Sequence, residues 1–298
     1  MRTPIDNFQP TAVVRLFSAG VIKEIARKGR SPLFARLVEE SALSKEIAPT
    51  DPIRELYDKA FSRLKHKKYR HEYVYKAAIA HKVLLNTHSL RTAAMLTEFR
   101  AGSCKADIVI LNGTSTVYEI KSERDNLDRL QAQISAYRKI FAKVNVITGE
   151  AHLEAILQST SEDVGVLLLT DRFQISIARE AIDKSDKVNP AMIFDSLQLN
   201  ESRIILESYG IRIPEVPNTQ MYGALRKLFA DLPPTQAHEG MVRVLKTTRN
   251  LLSLSGLVEA LPYSLRAAVL TTPLRQQDHA RLLSAMDTPL NEALNWGK

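Results

Sequence analysis

The sequence has one cysteine and no long apolar run. Cys104 is the single cysteine among 298 residues, which excludes an internal disulfide and a multi-cysteine zinc site. No stretch approaches the roughly 18 uninterrupted apolar residues of a membrane-spanning helix, and the opening MRTPIDNFQP lacks the apolar core of a signal peptide. Together these absences predict a soluble protein of the reducing cytoplasm.

Two common sets of functional residues are also missing. The seven histidines do not have the spacing of zinc ligands, and no glycine-rich phosphate loop is present. Hydrophobic residues make up 45% and charged residues 25%, which is ordinary for a folded globular protein. The net charge of +8 and the pI near 9.5 favour a polyanionic partner, such as nucleic acid or an anionic membrane surface. A merely basic protein is the alternative.

Residues 1–69 are predicted to form a helical N-terminal region. Apolar residues recur at helical spacing from Thr11, and Gly29 is placed to end that helix. Ser31-Pro32 and Asp51-Pro52 each predict an N-cap followed by a first-turn proline. Such short helices could form a helix-turn-helix reader of DNA. Without a clear recognition helix, the preferred interpretation is an amphipathic layer that covers a sheet.

A basic and aromatic run, RLKHKKYRHEYVYK, covers residues 63–76. Its cations could contact a phosphate backbone, and its tyrosines could stack on bases. A solvated helix end or linker is the alternative interpretation. The cations proposed to bind nucleic acid are Lys65, Lys67, Lys68 and Arg70, and the tyrosines are Tyr69, Tyr73 and Tyr75.

From about residue 90 the pattern becomes strand-like. The runs ADIVIL, TVYEIKS, KVNVIT and VGVLLLT are apolar, largely β-branched, and bounded by turn residues. A helical apolar face between the second and third runs consists of Leu127, Leu130, Ile134, Tyr137, Ile140 and Phe141. This order predicts an α/β core with a mixed sheet over residues 70–182. Residues 183–298 return to helical patterns and are predicted to form a C-terminal helical region, with GIRIPEVPN as an extended connector.

The first two of these runs carry charged residues that a sheet interior does not need. Asn112-Gly113 predicts a hairpin turn, which places Asp107 across from the neighbourhood of Glu119. Glu119 and Lys121 are two residues apart in one strand and therefore share a face. Two carboxylates beside a lysine suit Mg²⁺, which commonly binds one or two carboxylates together with a substrate phosphate. The lysine could orient a metal-bound water or offset charge on a phosphate oxygen, so the set favours phosphodiester hydrolysis.

Each of these residues also has a structural interpretation. Asp107 could cap a neighbouring backbone amide at the start of its strand. Glu119 and Lys121 could form a same-face surface ion pair of little energetic value. Asp125 is a plausible N-cap of the following helix. Arg129 could reach a phosphate or pair with Asp125 four residues earlier, and the pair is the preferred interpretation.

The hairpin residues resemble the motif of the PD-(D/E)XK nuclease superfamily. Asp107 is followed by eleven residues and then by Glu119-Ile120-Lys121. The resemblance implies a restriction-endonuclease-like core in which a catalytic hairpin is flanked by helices. It also implies that Asp107, Glu119 and the Ile120 carbonyl bind Mg²⁺, and that Lys121 positions the attacking water. Ala106 stands where the motif's name has proline, a departure that many members share.

Two further matches extend the resemblance. Glu98 stands where many members carry an additional metal-binding acid. Gln133 and Tyr137 match a Gln-x-x-x-Tyr pattern on the following helix, where residues four apart share a face, although Tyr137 also fits the apolar core. Segments such as EYVYKAAIAHKVLLN and MYGALRKLF resemble an uncharacterised family of bacterial nuclease-like proteins. The specific resemblance covers roughly residues 70–180.

The sequence therefore predicts a cytoplasmic, Mg²⁺-dependent nuclease, with Mn²⁺ as a substitute and DNA as the preferred substrate. Cutting both strands of a duplex would suit a homodimer, and defence or repair is the expected setting. One rival is a binding module that keeps the fold but has lost cleavage. Another is a partner protein whose helical ends bind an unidentified protein.

Overall fold

Helices precede the sheet along the chain. The structure is a computed structural model that describes residues 8–297. The Ser31 hydroxyl accepts from the Phe34 amide at 3.0 Å and Gly29 has φ 72°, so both predicted helix boundaries are confirmed. The single helix expected from Thr11 to Gly29 is instead two helices, separated at Phe17-Ser18. Asp51 is not an N-cap, because the helix starts at Ile53 and Pro52 is the capping residue. The Asp51 carboxylate accepts from the Ala48 amide instead. The helices are α1 (Pro10–Leu16), α2 (Ala19–Lys28), α3 (Pro32–Ser41), α4 (Ile53–Lys65) and α5 (Glu72–Ile79).

A six-stranded mixed sheet follows, with its strands in chain order. The first three strands are antiparallel, the third to fifth are parallel, and the sixth is antiparallel to the fifth. The predicted α/β class with a mixed sheet is therefore confirmed. The strands are β1 (Ala94–Ala101), β2 (Cys104–Asn112), β3 (Thr114–Lys121), β4 (Lys143–Thr148), β5 (Gly165–Leu169) and β6 (Ile175–Arg179).

The predicted hairpin joins β2 to β3 through one residue. Asn112 pairs with Thr114 around Gly113, whose φ of 72° is one that glycine adopts without steric cost. The polar residues after the turn belong to β3 and do not extend the loop. The register runs to Ile108 opposite Tyr118, so the next position along brings Asp107 level with Glu119. The predicted alignment of the two acids is thus confirmed.

Two helices connect the parallel strands, as parallel neighbours require. Helix α6 (Leu130–Tyr137) joins β3 to β4, and α7 (Glu150–Ser159) joins β4 to β5. The predicted apolar face of α6 is confirmed, because Leu130, Ile134 and Tyr137 are buried. The helix is shorter than its apolar pattern indicated, since Leu127 precedes it and Ile140 and Phe141 follow it.

The next helices share the apolar core of the sheet. They are α8 (Pro190–Ser196), α9 (Leu199–Ser208), α10 (Asn218–Ala230) and α11 (Pro234–Thr248). Ile205, Phe229 and Met241 are buried in one cluster with Val109 and Val117 of the hairpin. Gly210, with φ 74°, follows α9, and residues 211–217 form the extended connector that was predicted.

The chain divides into two compact units. Lys82–Leu251 form the sheet unit, and the residues up to His81 together with those from Leu252 form the helical unit. The division does not follow the predicted regions, because residues 183–251 pack with the sheet. Helices α1–α5 pack with the C-terminal helices inside the helical unit. The C-terminal helices are α12 (Ser255–Ala260), α13 (Arg266–Leu270), α14 (His279–Ala285) and α15 (Leu290–Ala293).

Candidate active site

The end of β3 buries an ion pair. Glu119 and Lys121 are 2% and 6% exposed, and Lys121 Nζ lies 2.9 Å from Glu119 Oε1. They share a face of the strand, as predicted, but they do not form the surface pair that was the structural alternative. Burying two charges costs several kcal/mol each unless hydrogen bonds compensate, so this pair needs further partners.

Helix α6 supplies those partners. The Gln133 side chain accepts from Lys121 Nζ at 2.9 Å and donates to Glu119 Oε1 at 2.5 Å. The Tyr137 hydroxyl donates to Glu119 Oε2 at 2.7 Å and lies 2.8 Å from the Lys105 carbonyl oxygen. The predicted Gln-x-x-x-Tyr pair therefore faces the ion pair. We call Glu119, Lys121, Gln133 and Tyr137 the buried tetrad.

The hydroxyl of Tyr137 stays protonated in this environment. Burial, and then the negative charge of Glu119, raise the pKa of Tyr137 well above its ordinary value. Tyr137 is thus a neutral donor. Both oxygens of Glu119 accept hydrogen bonds from within the protein.

Asp107 lies beside the tetrad on β2. Its Oδ2 accepts from the Ile120 backbone amide at 2.7 Å, so it caps an amide of β3 as the structural alternative proposed. The Asp107 carboxylate is half-buried. The Ile120 side chain is buried at 4% exposure, on the opposite face of the strand from Glu119.

Glu98 occupies β1 with an unusual backbone conformation. Glu98 lies within this strand, and its φ is 52°. The register of its neighbours, Thr97 with Ile108 and Phe99 with Ala106, places it opposite Asp107. A positive φ at a residue other than glycine costs roughly 1–3 kcal/mol and is concentrated at functional sites. Glu98 is exposed, and a carboxylate oxygen of Glu98 lies within 4.8 Å of one of Asp107.

The Glu98–Asp107 pair fits a hard divalent cation better than Glu119 does. Two oxygen ligands of an octahedral Mg²⁺ lie about 3 Å apart when adjacent and about 4.2 Å apart when opposite. The carboxylate oxygens of Glu98 and Asp107 lie within 4.8 Å of each other, an upper limit that includes both spacings. Glu119 already accepts hydrogen bonds from Lys121, Gln133 and Tyr137.

Most of the chain is similar to one known protein family. The model of the Bacteriophage P4 protein cII family matches residues 65–253. The chain belongs to this family. Protein cII of Enterobacteria phage P4 is 30% identical over 112 residues, which span 37% of this chain and 42% of the phage protein. A protein of unknown function from Silicibacter pomeroyi is 19% identical, and the alignment covers 45% of this chain and 87% of that one. Its TM-score of 0.30 is too low to support an argument about fold.

The residues matched by the cII family model include the whole sheet unit, with the tetrad and the acidic pair.

The basic run lies at the start of the matched residues. Lys67 and Lys68 are exposed and Lys65 is half-buried, so these cations are placed where solvent reaches them. Arg70 is not accessible to solvent, because it is 2% exposed. Its guanidinium donates to the Lys65 carbonyl at 3.2 and 3.3 Å. The prediction that Arg70 contacts nucleic acid is therefore wrong.

The tyrosines of that run do not offer faces to bases. Tyr75 is fully buried, and Tyr73 stacks on Phe17 with ring centroids 4.4 Å apart. Tyr69 packs on Phe8 at 4.7 Å. These rings pack against other side chains of the protein. The prediction that they stack on bases is therefore wrong.

The turn before α6 also differs from expectation. Asp125 Oδ2 accepts from the Ser122 amide at 2.7 Å and from its hydroxyl at 2.6 Å. Because α6 begins at Leu130, Asp125 is not its N-cap. Among residues 8–297 no Asp125–Arg129 ion pair is formed, and Arg129 is exposed beside the first turn of α6. Arg129 is thus available to an anionic ligand.

One residue that supports the site was missed. The Thr148 hydroxyl, at the end of β4, donates to the Lys121 carbonyl at 2.8 Å and is fully buried. It is paired in register with Lys121 across the parallel strands. The signal was a hydroxyl residue at the end of a strand pattern, but its partner depends on a register that the sequence does not specify.

No helix in the described part of the chain has both the length and the apolar character needed to cross a membrane.

Proposed function

We propose that this protein is a Mg²⁺-dependent nuclease of the PD-(D/E)XK type that hydrolyses phosphodiester bonds, with DNA as its substrate. The observation that carries the proposal is the position of Lys121. Its ammonium group is held between Glu119 and Gln133 on the strand next to the Glu98–Asp107 pair. A restriction-endonuclease-like core, a cytoplasmic location and a role in defence or repair are parts of the same proposal.

Each side chain has a physical task in this proposal. Glu98 and Asp107 would hold the cation, with the Ile120 carbonyl and Glu119 as further oxygen donors once Glu119 exchanges a partner. A bound Mg²⁺ lowers the pKa of a coordinated water and neutralises charge on the phosphate. Lys121 orients the attacking water, and Gln133 and Tyr137 fix the positions of Lys121 and Glu119. Side chains preorganised in this way lose little entropy at the moment of reaction.

Plasmid nicking tests the proposal. Wild type is expected to relax supercoiled plasmid in Mg²⁺ or Mn²⁺ and to be inactive in EDTA. Lys121→Ala and Asp107→Asn are expected to lower the rate at least about 100-fold, because each removes a group that acts on the reacting water or the cation. Lys187→Ala, which removes an exposed lysine of the same unit, is the matched control and should cleave at the wild-type rate.

A second candidate function is supported by the hydrogen bonding of Glu119. Both its oxygens are engaged by Lys121, Gln133 and Tyr137, so the tetrad is complete without a cation. Such a site suits a module that keeps the fold for binding nucleic acid or a protein. The discriminating measurement is Mn²⁺ binding by electron paramagnetic resonance. DNA binding without Mn²⁺ binding or nicking would favour the silent module.

A further inference from the structure

The positive charge of the protein is concentrated in one unit. The residues up to His81 and from Leu252 include 20 Lys and Arg against 13 Asp and Glu, a net charge of +7. Residues 82–251 include 21 against 20, a net charge of +1. The unit that contains the candidate active site therefore contributes little long-range attraction for a polyanion. The helical unit contributes nearly all of it.

An open groove of about 980 Å³ lies along α2 and α3 in the helical unit. The side chains that give it its charge are Lys23, Glu24, Arg27, Lys28, Arg36 and Glu39. The acid Glu24 is already engaged, since it accepts from the Ser31 hydroxyl at 2.7 Å and lies 3.2 Å from Lys28 Nζ. With four cations against the two acids Glu24 and Glu39, the side chains of the groove have a net charge of +2.

Lys23 and Arg27 are the uncompensated cations of the groove. They are four residues apart, on one face of α2 and about 6 Å apart along its axis. Within residues 8–297 neither forms an ion pair, and Arg27 is exposed while Lys23 is half-buried. Arg36 is different, because Glu40 lies 3.6 Å away. Two cations on one helix face that form no ion pair are suited to contact neighbouring phosphates of a nucleic acid.

The apolar side of α2 argues against a membrane as the polyanion. A helix that binds a lipid surface keeps an apolar face exposed for insertion. In α2 that face consists of Val21, Ile22, Ile25 and Ala26, all fully buried. The large hydrophobic residues that are exposed elsewhere in the described chain do not line the groove. The leucines that do line the groove, Leu33 and Leu294, are half-buried and leave little apolar surface to insert into a membrane.

We propose that the α2–α3 groove binds the phosphate backbone of a nucleic acid, with Lys23 and Arg27 as its principal contacts. This surface is separate from the basic run at residues 63–76. The inference rests on the proposed function for the choice of nucleic acid as the polyanion. It assigns substrate capture to the helical unit and chemistry to the sheet unit.

The test is equilibrium DNA binding by the 298-residue chain in EDTA, measured by fluorescence anisotropy. The NaCl concentration is varied from about 50 to 300 mM, so that the dependence of affinity on salt can be determined. The double variant Lys23→Gln/Arg27→Gln is expected to bind a 20-base-pair duplex about tenfold more weakly or worse, and the log–log salt slope should fall in magnitude by about 2. The charge-preserving variant Lys23→Arg/Arg27→Lys should bind like wild type. Circular dichroism and thermal melting check that each variant is folded.

The matched control is Arg172→Gln/Arg212→Gln, which removes two exposed cations from the sheet unit and should leave affinity and salt slope unchanged. Unchanged affinity and slope in the groove variant would overturn the inference. Binding to vesicles that contain phosphatidylserine, without binding to DNA, would also overturn it. Because EDTA prevents cleavage, this result does not depend on nicking. Groove-dependent binding without nicking would leave the inference standing and remove the proposed function.

Discussion

At the scale of single residues, the buried tetrad is the feature most dependent on exact chemistry. Glu119 is a buried carboxylate whose charge is balanced by Lys121 and by neutral donors from α6. Removing a partner leaves a buried polar group unsatisfied, which costs more than the bond contributes on average. The tetrad therefore links the stability of the fold to the geometry of the candidate active site.

Tyr137→Phe tests this link. The change deletes the hydroxyl that donates to Glu119 without altering the packing of the ring, so we expect the free energy of unfolding to fall by about 1.5–3 kcal/mol. Chemical denaturation measures the effect. Tyr222→Phe is the control, since its hydroxyl bonds to Asp195 at an exposed position, and it should cost no more than about 0.5 kcal/mol. Equal losses of stability in the two variants would contradict the proposed contribution of the Tyr137 hydroxyl to folding.

His238 makes stability depend on pH. Burial lowers the pKa of His238, while the nearby carboxylates of Asp183 and Glu239 oppose that shift. Its Nε2 lies 2.8 Å from the buried Ser115 hydroxyl. The unfolded chain binds a proton near pH 6.5 more readily than the folded one, so this contribution is complete above about pH 6.5 and is lost as the pH falls.

The measurement is the urea midpoint of wild type and His238→Gln between pH 5 and 8. We expect the wild-type midpoint to fall more steeply below about pH 6.5 than that of the variant. Parallel pH profiles would show that His238 does not carry this dependence.

At the scale of elements, two glycines are required for different structural reasons. Gly113 has φ 72° at the hairpin turn, and a Cβ there would contact nothing within 4 Å. Gly165 starts β5, where a Cβ would lie 2.9 Å from the Ala181 backbone nitrogen and clash with Asn145. The first glycine is required by backbone conformation, and the second by close approach of neighbouring chain.

Alanine at each position separates these two causes. Gly113→Ala should lower the free energy of unfolding by about 1 kcal/mol through the left-handed backbone alone. Gly165→Ala should cost about 3 kcal/mol, because backbone atoms must move. Urea denaturation of the two variants measures both values. A larger loss for Gly113→Ala would be the contradicting result.

At the scale of the whole molecule, the chain passes from one unit to the other at residues 81–82 and 251–252. The first passage lies within helical structure at Ala80–Leu85. At the second, Asn250 and Leu251 have no regular structure, and Leu252 is 46% exposed. The two passages therefore differ in how readily a protease can bind them.

Limited proteolysis with subtilisin is expected to cut first between residues 249 and 253, because Asn250 and Leu251 have no regular structure and Asn250, Leu252 and Ser253 are exposed. Mass spectrometry of the earliest fragments locates the cut, and it should leave residues 82–248 intact. A first cut inside the sheet unit, or at residues 80–85, would contradict this expectation.

Local rules accounted for much of the fold. Ser31, Pro32 and Gly29 act on neighbours within four residues, so their roles as helix boundaries follow from the sequence. Gly113 and the alternation in β2 and β3 likewise predict the hairpin and the level alignment of Asp107 with Glu119. Arg70 and Tyr75 were mistaken for surface residues because a basic composition does not reveal which side chains lie against a core.

The sequence by itself determined the hairpin, the shared face of Glu119 and Lys121, and the helix that carries Gln133 and Tyr137, since each depends on spacing along a single element. Tertiary structure alone decided that Glu119 is enclosed by donors from α6, that Glu98 lies beside Asp107 on a neighbouring strand, and that residues 183–251 belong with the sheet. The physical reason is that burial and contact between distant segments arise from strand register and core packing, which no local pattern specifies.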